Sequence, residues 1–470
     1  MAITLKLKNE TSDEVTLTGS DFLLESYKPT ASDTSESFLN SDEFQTVNGV
    51  RYQALKIRIG LTIKANISTN QELIASFLRK VISNTNAGGN EKYYLSFKED
   101  SNAVERQTRI FSGNLQISEN YLRYEKAGGV MKMLINLTCS SVWEATSVSA
   151  VTAKNNHSAG TTDFLQVDNA QKNADGKSNF VEINKTGADF SFDSLPVLYV
   201  KNNVTDTLLK KIVVYKKTRN VASSQSSDYD SSIKITLSEC QGWGGSTATV
   251  TNSKYLGGSA TQYTWTASNI FTVFRKHLQN TQNENFRGET YKLFLAIDPS
   301  TKCINKQTKF RVKYSGYNGL SSSTEWFYLE NSNYHFSTIL KIGQKGVAED
   351  DFVITLEAQS TDGDTIILDY FELVPTEQIL EVSSYISNYG INDATIDLTS
   401  GKVYRNIDGS SYKNSYYNIK GNLTITPNKV QRFYFVCYWF GVTGDNTFGS
   451  YKRAQYTTLV KLSELKRYLV

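Results

Sequence analysis

Residues 51–97 read RYQALKIRIGLTIKANISTNQELIASFLRKVISNTNAGGNEKYYLSF, and this stretch predicts a strand, a helix and a second strand. Apolar residues alternate with mostly polar ones across Leu55–Ile63, which is the period of a strand with one buried face. An apolar stripe at helical spacing then indicates the helix, and it is formed by Leu73, Ile74, Phe77, Leu78, Val81 and Ile82. Alternation resumes at Tyr93 and predicts the second strand.

Local signals set the expected ends of this helix. Thr69 and Glu72 have the spacing of a capping box, and Arg79 with Lys80 suits the negative end of the helix dipole. The run Asn86–Gly89 stops the helix. A helix with one apolar stripe and a strand on each side has only a sheet to cover, so we expect it to lie across a β-sandwich.

The composition favours a globular, strand-rich protein. The chain has 470 residues, 39% of them hydrophobic and 21% charged, with 28 Tyr among the aromatics. This length suits about two to four domains, and many aromatic and polar turn residues suit short strands. The net charge of +3 and the absence of a basic cluster interleaved with aromatics argue against nucleic-acid recognition. No apolar run is long enough to cross a membrane, and the start MAITLKLKNE does not resemble a signal peptide, so we expect synthesis in the cytoplasm.

The first 145 residues extend this pattern. Residues 33–43 are rich in Ser, Asp and Glu and are expected to form a long exposed loop, while strands are expected at 108–117 and 129–139. The order of elements in Arg51–Phe97 and the final strand running into Val142-Trp143-Glu144 resemble the N-terminal hub domain of distal tail and baseplate-hub proteins of long-tailed bacteriophages. An unrelated β-sandwich with one helix is the alternative.

This resemblance implies a fold, an assembly and a location. In the family, a β-sandwich with one flanking helix assembles into a ring that continues the tail tube. Residues 1–145 would then form a ring-forming, hub-like domain, and the chain would be a homo-oligomer, a hexamer or a trimer. Its implied partners are the tail tube and other baseplate or tail-tip proteins, and its implied location is the virion.

A second sandwich is expected from two separated segments, 146–224 and 376–470. Leu195–Val200 after Gly187 resembles the opening of the galectin-like domain of such tail proteins. The pairs 394–397 and 402–405, and then 423–427 and 432–439, resemble its later hairpins. The family usually has Pro-Gly before the last strand, and this chain has Pro427-Asn428, which Asn tolerates because it enters positive φ more readily than most residues.

The segment 225–375 would then be an insertion. Its start at Ser238–Gly242 and its finish at Asp364–Pro375 resemble the first and last strands of jelly-roll carbohydrate-binding modules. The predicted fold class is therefore mainly β: a sandwich with one flanking helix, a discontinuous galectin-like sandwich and an inserted jelly roll.

Aromatic residues of the insertion are candidates for sugar binding, because pyranose C–H faces stack on aromatic rings. Trp243 lies among glycines in an expected exposed turn, and Tyr263 with Trp265, like Trp326 with Tyr328, has the spacing of one strand face. Core packing is the alternative, since an aromatic at strand spacing usually lies in the core. The candidates are Trp243, Tyr263, Trp265, Trp326, Tyr328 and Tyr334.

Structural calcium is implied by the same resemblance, at Glu239 and Asp369. The family's second opening acid is replaced by Gln241, which offers only a neutral oxygen, and calcium prefers several oxygens with carboxylate charge. Two surface carboxylates without metal are the alternative. No other cofactor is expected.

Catalysis has little support in the sequence. The three histidines, His157, His277 and His335, match no metalloprotease or nucleophile motif, and no pair of carboxylates stands out. We therefore expect a non-enzymatic structural virion protein that presents an adhesion module to host cell-surface polysaccharide. The alternative is a free-standing carbohydrate-binding protein or an accessory protein of polysaccharide degradation.

Overall fold

A computed structural model describes the chain in segments. They are residues 3–10, 12–29, 34–40, 45–52, 54–89, 91–100, 103–117, 129–151, 154–155, 165–167, 180–202, 207–219, 233–243, 245–252, 255, 258–278, 290–298, 308–315, 321–328, 335–341, 352–384, 391, 393–399, 401–407, 410–413, 417–441 and 458–468. The chain divides into two compact units. Unit 1 is Met1–Ser149 with Asp189–Ser194 and Leu465–Val470, and unit 2 is Ala150–Ala188 with Leu195–Glu464. Within the described segments, no helix has the length and apolar character needed to cross a membrane.

The secondary structure is almost entirely β. The first elements are β1 (Thr4–Asn9), β2 (Asp13–Thr16), β3 (Phe22–Pro29), β4 (Thr34–Asn40), β5 (Gln45–Tyr52), β6 (Leu55–Ile63), α1 (Ile67–Asn86), β7 (Tyr93–Lys98), β8 (Arg106–Ile117), β9 (Met131–Cys139), β10 (Trp143–Ala145), β11 (Ser149–Ala150), β12 (Lys154–Asn155), β13 (Leu165–Val167), β14 (Phe180–Asn184), β15 (Phe192–Asn202) and β16 (Thr207–Arg219).

The insertion and the last segment supply the remaining strands. They are β17 (Ile233–Thr236), a 3₁₀ turn (Leu237–Glu239), β18 (Gln241–Trp243), β19 (Ser246–Thr251), β20 (Ser259–Thr264), β21 (Ile270–Leu278), β22 (Thr290–Ile297), β23 (Lys309–Ser315), β24 (Ser321–Ser323), β25 (Phe327–Tyr328), β26 (His335–Lys341), β27 (Phe352–Gln359), β28 (Thr365–Pro375), β29 (Gln378–Ser384), β30 (Asp393–Asp397), β31 (Lys402–Ile407), β32 (Ser410–Lys413), β33 (Tyr417–Gly421), β34 (Val430–Gly441) and β35 (Thr458–Tyr468). The predicted mainly-β fold class is confirmed.

Unit 1 is built on the predicted strand–helix–strand stretch. Strand β6 pairs with β3 on one side and β9 on the other, while β8 joins this sheet to β7, β1 and β2. The strand expected at 129–139 is β9, and the alternating side chains on one of its faces, from Met131 to Cys139, are all buried. Trp143 is also buried, with its ring 6.1 Å from that of Phe97. The buried face of β9 and the ring of Trp143 are therefore part of the core of unit 1.

Helix α1 is the one α-helix of the described residues, and it packs against β8 and β2. Its core face carries the predicted Ile74, Phe77, Leu78 and Val81, whereas Leu73 and Ile82 at the margins of the stripe are 45% and 40% exposed. The close approach to β8 occurs at Gly113, where a Cβ would lie 2.8 Å from a methyl group of Leu78.

The predicted capping box is wrong, because the helix begins before Thr69. Its N-cap is Asn66, which has φ 51 and makes no side-chain cap. The carboxylate of Asp21, from a preceding turn, does not cap the backbone N–H groups of the helix but accepts hydrogen bonds from the side-chain amides of Asn66 at 2.9 Å and Asn70 at 3.0 Å, which ties the start of the helix to that turn. The hydrogen bond from Asn66, and then that from Asn70, lowers the pKa of Asp21.

The helix ends where the sequence predicts, but the basic residues predicted for its last turn lie elsewhere. The helix ends at Asn86, and Gly88 follows with φ 64. Arg79 and Lys80 lie well before the last turn, which has no basic residue. Arg79 instead pairs with Glu72 on the exposed surface.

The loop expected at 33–43 is replaced in its described part by strand β4, which forms a hairpin with β5. The hairpin keeps the register of the β3–β6 pair, since Pro29 pairs with Ile57 and Thr34 with Tyr52. Neither β4 nor β5 pairs with any other described strand. We call β4 and β5 the ribbon.

The first sandwich of unit 2 has a sheet in the order β12-β14-β34-β16-β29-β33. Its inner face packs on β15, β30 and other strands through a buried cluster that includes Ile212, Val214, Phe433 and Phe435. The predicted hairpin of β30 and β31 is present, and so is the positive φ of Asn428, at 55. Residues 431–437 of strand β34 are buried on both faces of the strand.

The insertion forms a second sandwich with its own core. One sheet has the order β19-β20-β28-β22-β26 and the other β18-β21-β27-β23-β24, with β25 also paired to β23. The two ends of the insertion lie side by side, because β16 and β29 are neighbouring antiparallel strands. The backbone N–H of Glu377 donates to the carbonyl oxygen of Lys216 at 2.9 Å, and that of Thr218 donates to the Glu377 carboxylate at 3.0 Å.

The two sandwiches of unit 2 meet through an apolar cluster that we call the junction cluster. Phe294 and Val374 of the insertion pack against the outer face of the first sandwich. The ring of Phe294 lies 5.4 Å from that of Tyr215 in an edge-on arrangement. The cluster consists of Phe180, Val213, Tyr215, Phe294, Val374, Tyr434 and Val436, each at most 8% exposed.

Truncation on the two faces of α1 should have unequal effects. Phe77 is 1% exposed and meets the ring of Tyr93 edge-on at 5.4 Å. Phe77→Ala should lower the free energy of unfolding by about 3–5 kcal/mol, because it removes buried contacts and leaves a cavity. Leu73→Ala, on the exposed side of the same helix, should change it by less than about 1 kcal/mol. Calorimetric melting of both variants measures this difference, and equal shifts would contradict the packing described.

Candidate functional site

The outer face of the sheet β18-β21-β27-β23-β24 holds the candidate site. On β23 the side chains of Phe310 and Val312 are fully buried in the core of the insertion, so Lys309, Arg311 and Lys313 point to the outer face. Trp326 and the short strand β25 follow beside β23, where Tyr328 pairs with Lys309. We call these residues, together with Glu357 of β27, the outer face.

Trp326 and Tyr328 share one face, as their spacing predicted, and that face is the outer one. Phe327 between them packs on the core, and its ring stacks on that of Phe310 with centroids 5.9 Å apart. Tyr328 is 56% exposed. Trp326 is partly exposed, and its ring lies against two cations, with Arg311 Cζ 4.5 Å and Lys309 Nζ 5.0 Å from the ring centroid. Both rings are accessible to a ligand.

Tyr263 and Trp265 share one face as predicted, but it is the inner face, and their assignment to a sugar site is wrong. Each is 1% exposed. The hydroxyl of Tyr263 donates to the carbonyl oxygen of Thr272 at 3.0 Å, which ties β20 to the opposite sheet. The two rings meet edge-on at 6.4 Å. A sugar cannot stack on a ring that the core already covers, so the core alternative holds for both.

Trp243 ends β18 rather than lying in an open turn, and its backbone pairs with Thr272. The register continues from Thr272 to Glu357 and from Glu357 to Arg311. Trp243 therefore occupies one end of a row that crosses this sheet, and its role in sugar binding stays a prediction. Tyr334 and His157 lie outside the described residues.

Glu357 links the cations of the outer face. Its carboxylate accepts a hydrogen bond from Arg311 Nε at 3.0 Å on one oxygen and pairs with Lys313 Nζ at 2.7 Å on the other. Burial by itself would raise the pKa of Glu357, but the hydrogen bonds from Lys313 and Arg311 outweigh burial, and the pKa is lowered. The carboxylate is thus ionised at neutral pH and fixes Arg311 beneath Trp326.

Glu239 and Asp369, the predicted calcium ligands, have different environments. Glu239 is exposed and accepts a hydrogen bond from Thr236 Oγ1 at 2.8 Å, whereas Asp369 is 0% exposed. No group of three or more His, Cys, Asp or Glu able to hold a metal occurs within the described segments. This donor set is a poor fit for an ion that takes six to eight oxygens. Calcium at this pair stays a prediction, and melting with and without a chelator tests it.

A second concave region lies in the first sandwich of unit 2. It is an open depression of about 290 Å³, and its lining includes Tyr199, Lys201, Asp393, Asn406 and Lys461. The Asn406 amide donates to the Asp393 carboxylate at 3.0 Å. The depression offers one partly buried aromatic ring, whereas the outer face offers two accessible rings beside cations. The outer face is therefore the stronger candidate.

The cations of the outer face were missed by reasoning from aromatic residues alone. The signal was present in residues 309–313, KFRVK, where three cations alternate with two apolar residues. That period predicts a strand with a basic outer face. Its position beside Trp326 depends on the pairing of β23 with β25, which no local pattern specifies.

Comparison with known proteins gives remote structural similarity. No family model and no curated protein matches the sequence. Among solved structures, the chain is similar to the Dit protein of phage SPP1, described as a paradigm of hub adsorption apparatus in phages that infect Gram-positive bacteria. The identity is 7%, the TM-score is 0.32, and 99% of each chain is covered.

Two further structures are similar, one to nearly the whole chain and the other to a part of it. The baseplate of phage P2 in its activated conformation with calcium has 9% identity and a TM-score of 0.27, and the match covers 93% of this chain and 98% of that one. TmCBM61, solved in complex with β-1,4-galactotriose, has 15% identity and a TM-score of 0.22, and it covers 30% of this chain and 90% of its own. At such scores, similarity does not assign an activity.

Truncation of two tryptophans of the insertion should lower the free energy of unfolding by very different amounts. Trp265→Ala should lower the free energy of unfolding by about 3–5 kcal/mol, since the ring is fully buried. Trp326→Ala should lower it by less than about 1 kcal/mol, because only partly exposed cation–π contacts are lost. Calorimetry on both variants gives the comparison, and a large loss at Trp326 would return that residue to a structural role.

Proposed function

We propose that the chain is a structural protein of a phage tail tip or baseplate, which forms a ring continuing the tail tube and presents the inserted sandwich to host surface glycan. The observation that carries the adhesion role is the outer face, where Trp326 and Tyr328 are accessible in a module with a separate core. The strand–helix–strand order of unit 1 and its resemblance to hub domains support the tail role. Binding without turnover is the proposed chemistry.

Edges of unit 1 support ring assembly. Among the described strands, β3 pairs only with β6, and the ribbon pairs with nothing beyond itself. Open strand edges are templates for pairing, and an isolated two-stranded hairpin is marginally stable in water. Leu23 on β3 is 48% exposed. We propose that the ribbon and the β3 edge contact a neighbouring copy head-to-tail, which closes a ring when the rotation between copies closes.

The domain division also belongs to this proposal. Segments 146–224 and 376–470 form the galectin-like sandwich, and 225–375 is the inserted module. The adjacent ends of the insertion and its separate core support this division, because an inserted domain needs termini that lie close together. The junction cluster adds that the module is packed against its host sandwich. An adhesion module held in this way presents the outer face at a fixed orientation relative to that sandwich.

Ring assembly predicts a specific sensitivity of β3. Leu23→Lys should shift the protein from hexamers or trimers to monomers, because a lysine on a strand edge opposes edge-to-edge pairing. Leu73→Lys is the matched control, since Leu73 is 45% exposed but lies on α1. Light scattering after size-exclusion chromatography, with and without the tail-tube protein, gives the mass. A wild-type chain that stays monomeric in both conditions would contradict the ring.

Adhesion predicts that the two outer-face aromatics, and Trp243 at the end of the same row of paired residues, retain glycan. Trp326→Ala, Tyr328→Ala and Trp243→Ala should each weaken retention on host cell-surface polysaccharide by roughly two- to twelvefold, the range for one aromatic contact. Phe111→Ala is the control, because Phe111 is 38% exposed in unit 1 and has Arg109 5.6 Å from its ring. Affinity electrophoresis on the polysaccharide measures retention. Unchanged retention in all three variants would remove the outer face from adhesion, and shortening of the polysaccharide would favour an enzyme.

A further inference from the structure

The charge of the outer face is unbalanced. Lys309, Arg311 and Lys313 alternate along β23, and Arg275 of β21 pairs in register with Thr355 of the intervening strand β27. Among the residues that the structure describes, these cationic side chains share the sheet face with one carboxylate, that of Glu357. The exposed Glu325 precedes Trp326 at the margin. Counted over these described residues, the three cations of β23 outnumber the two carboxylates.

The carboxylate of Glu357 pairs with two of the cations on β23 and not with the third. Arg311 binds one of its oxygens and Lys313 the other. Lys309 forms no ion pair with any residue that the structure describes, and its ammonium instead lies 5.0 Å from the centroid of the Trp326 ring. A cation beside an aromatic platform, without a carboxylate of its own, is arranged to receive an anion attached to a stacked ring.

We propose that the outer face selects a polysaccharide whose pyranose rings carry carboxylates, that is, uronic acid residues. A uronic acid combines the C–H face that stacks on Trp326 or Tyr328 with a carboxylate on the same ring, where Lys309 can pair with it. The proposal rests on the adhesion role proposed above and adds the chemical class of the ligand.

Two other ligand classes fit the arrangement less well. A neutral glycan would cover Lys309 without supplying a counter-charge, and covering an uncompensated charge is costly. A chain of alditols joined by phosphates supplies the charge, but its backbone has no pyranose face to stack on the indole. The pairing of rings with cations therefore favours an acidic pyranose.

The experiment compares acidic polysaccharides with their neutral counterparts on the full chain. The probes are polygalacturonate, alginate and hyaluronan, each beside the same polymer after carboxyl reduction, which removes the charge and keeps the pyranose rings. A poly(glycerol phosphate) serves as the phosphate arm, and neutral galactan and dextran complete the panel. Retention is measured by affinity electrophoresis and biolayer interferometry at 50 and 500 mM NaCl.

At least one acidic polymer should bind more tightly than its reduced form. The difference should shrink at high salt, because the Debye length falls to a few ångströms and charges are then screened from each other. Lys309→Gln should weaken binding of that polymer roughly two- to fivefold, the effect of one exposed ion pair. It should leave binding of the reduced form unchanged. Lys420→Gln, an exposed lysine on β33 in the other sandwich, removes the same charge and should change neither. Trp326→Ala should weaken both forms.

The remaining outcomes separate this inference from the adhesion role. Equal binding of acidic and reduced forms, or equal effects of Lys309→Gln and Lys420→Gln, overturns the acidic specificity and leaves adhesion standing. Retention on the phosphate polymer alone overturns the uronic acid assignment. Absence of binding to every polymer and to host polysaccharide overturns adhesion and this inference together.

Discussion

Burial of one sheet on both of its faces is the constraint on which unit 2 depends. Strand β34 places Phe433 and Phe435 in the core of the first sandwich and Tyr434 and Val436 in the junction cluster. Strand β16 does the same with Val214 on one side and Val213 on the other. An antiparallel sheet usually leaves one face to water. Here Phe294 and Val374 of the inserted sandwich cover that face, so removing them would expose tyrosines and valines of the first sandwich.

Two charged side chains of this sheet, one on each face, are buried because both faces are covered. Arg432 is 5% exposed, and its guanidinium pairs with Glu182 at 2.7 Å while lying 4.4 Å from the ring of Phe180. On the opposite face, Lys216 is 2% exposed and donates to Thr426 Oγ1 at 2.7 Å. A buried charge needs a fixed partner, because an unpaired one is strongly destabilising. Glu182 lies on the neighbouring strand β14, so its pair with Arg432 also helps to set the register of the sheet, whereas Thr426 lies in the connection between β33 and β34.

Periodicity in the sequence predicted faces well but did not say which face was the core. The stripe of α1 was predicted from local pattern, and the positive φ of Asn428 from backbone preference. The pairs Tyr263 with Trp265 and Trp326 with Tyr328 have identical spacing, yet the first faces inward and the second outward. Their difference arises from which strands neighbour them. The hydrogen bonds at the start of α1 have the same origin, since Asp21 is 45 residues away from Asn66 and no local motif contains both.

The junction cluster also explains why the outer face is the one available for a ligand. Phe294 and Val374 belong to the sheet containing β22 and β28, so that sheet already has the first sandwich on its outer side. The opposite sheet of the insertion carries Trp326, Tyr328 and the cations. A load applied to a glycan on that face would pass through the core of the insertion and then through the packed junction cluster. Such a load would therefore act on the packed side chains of both sandwiches and not only on the chain connections between them.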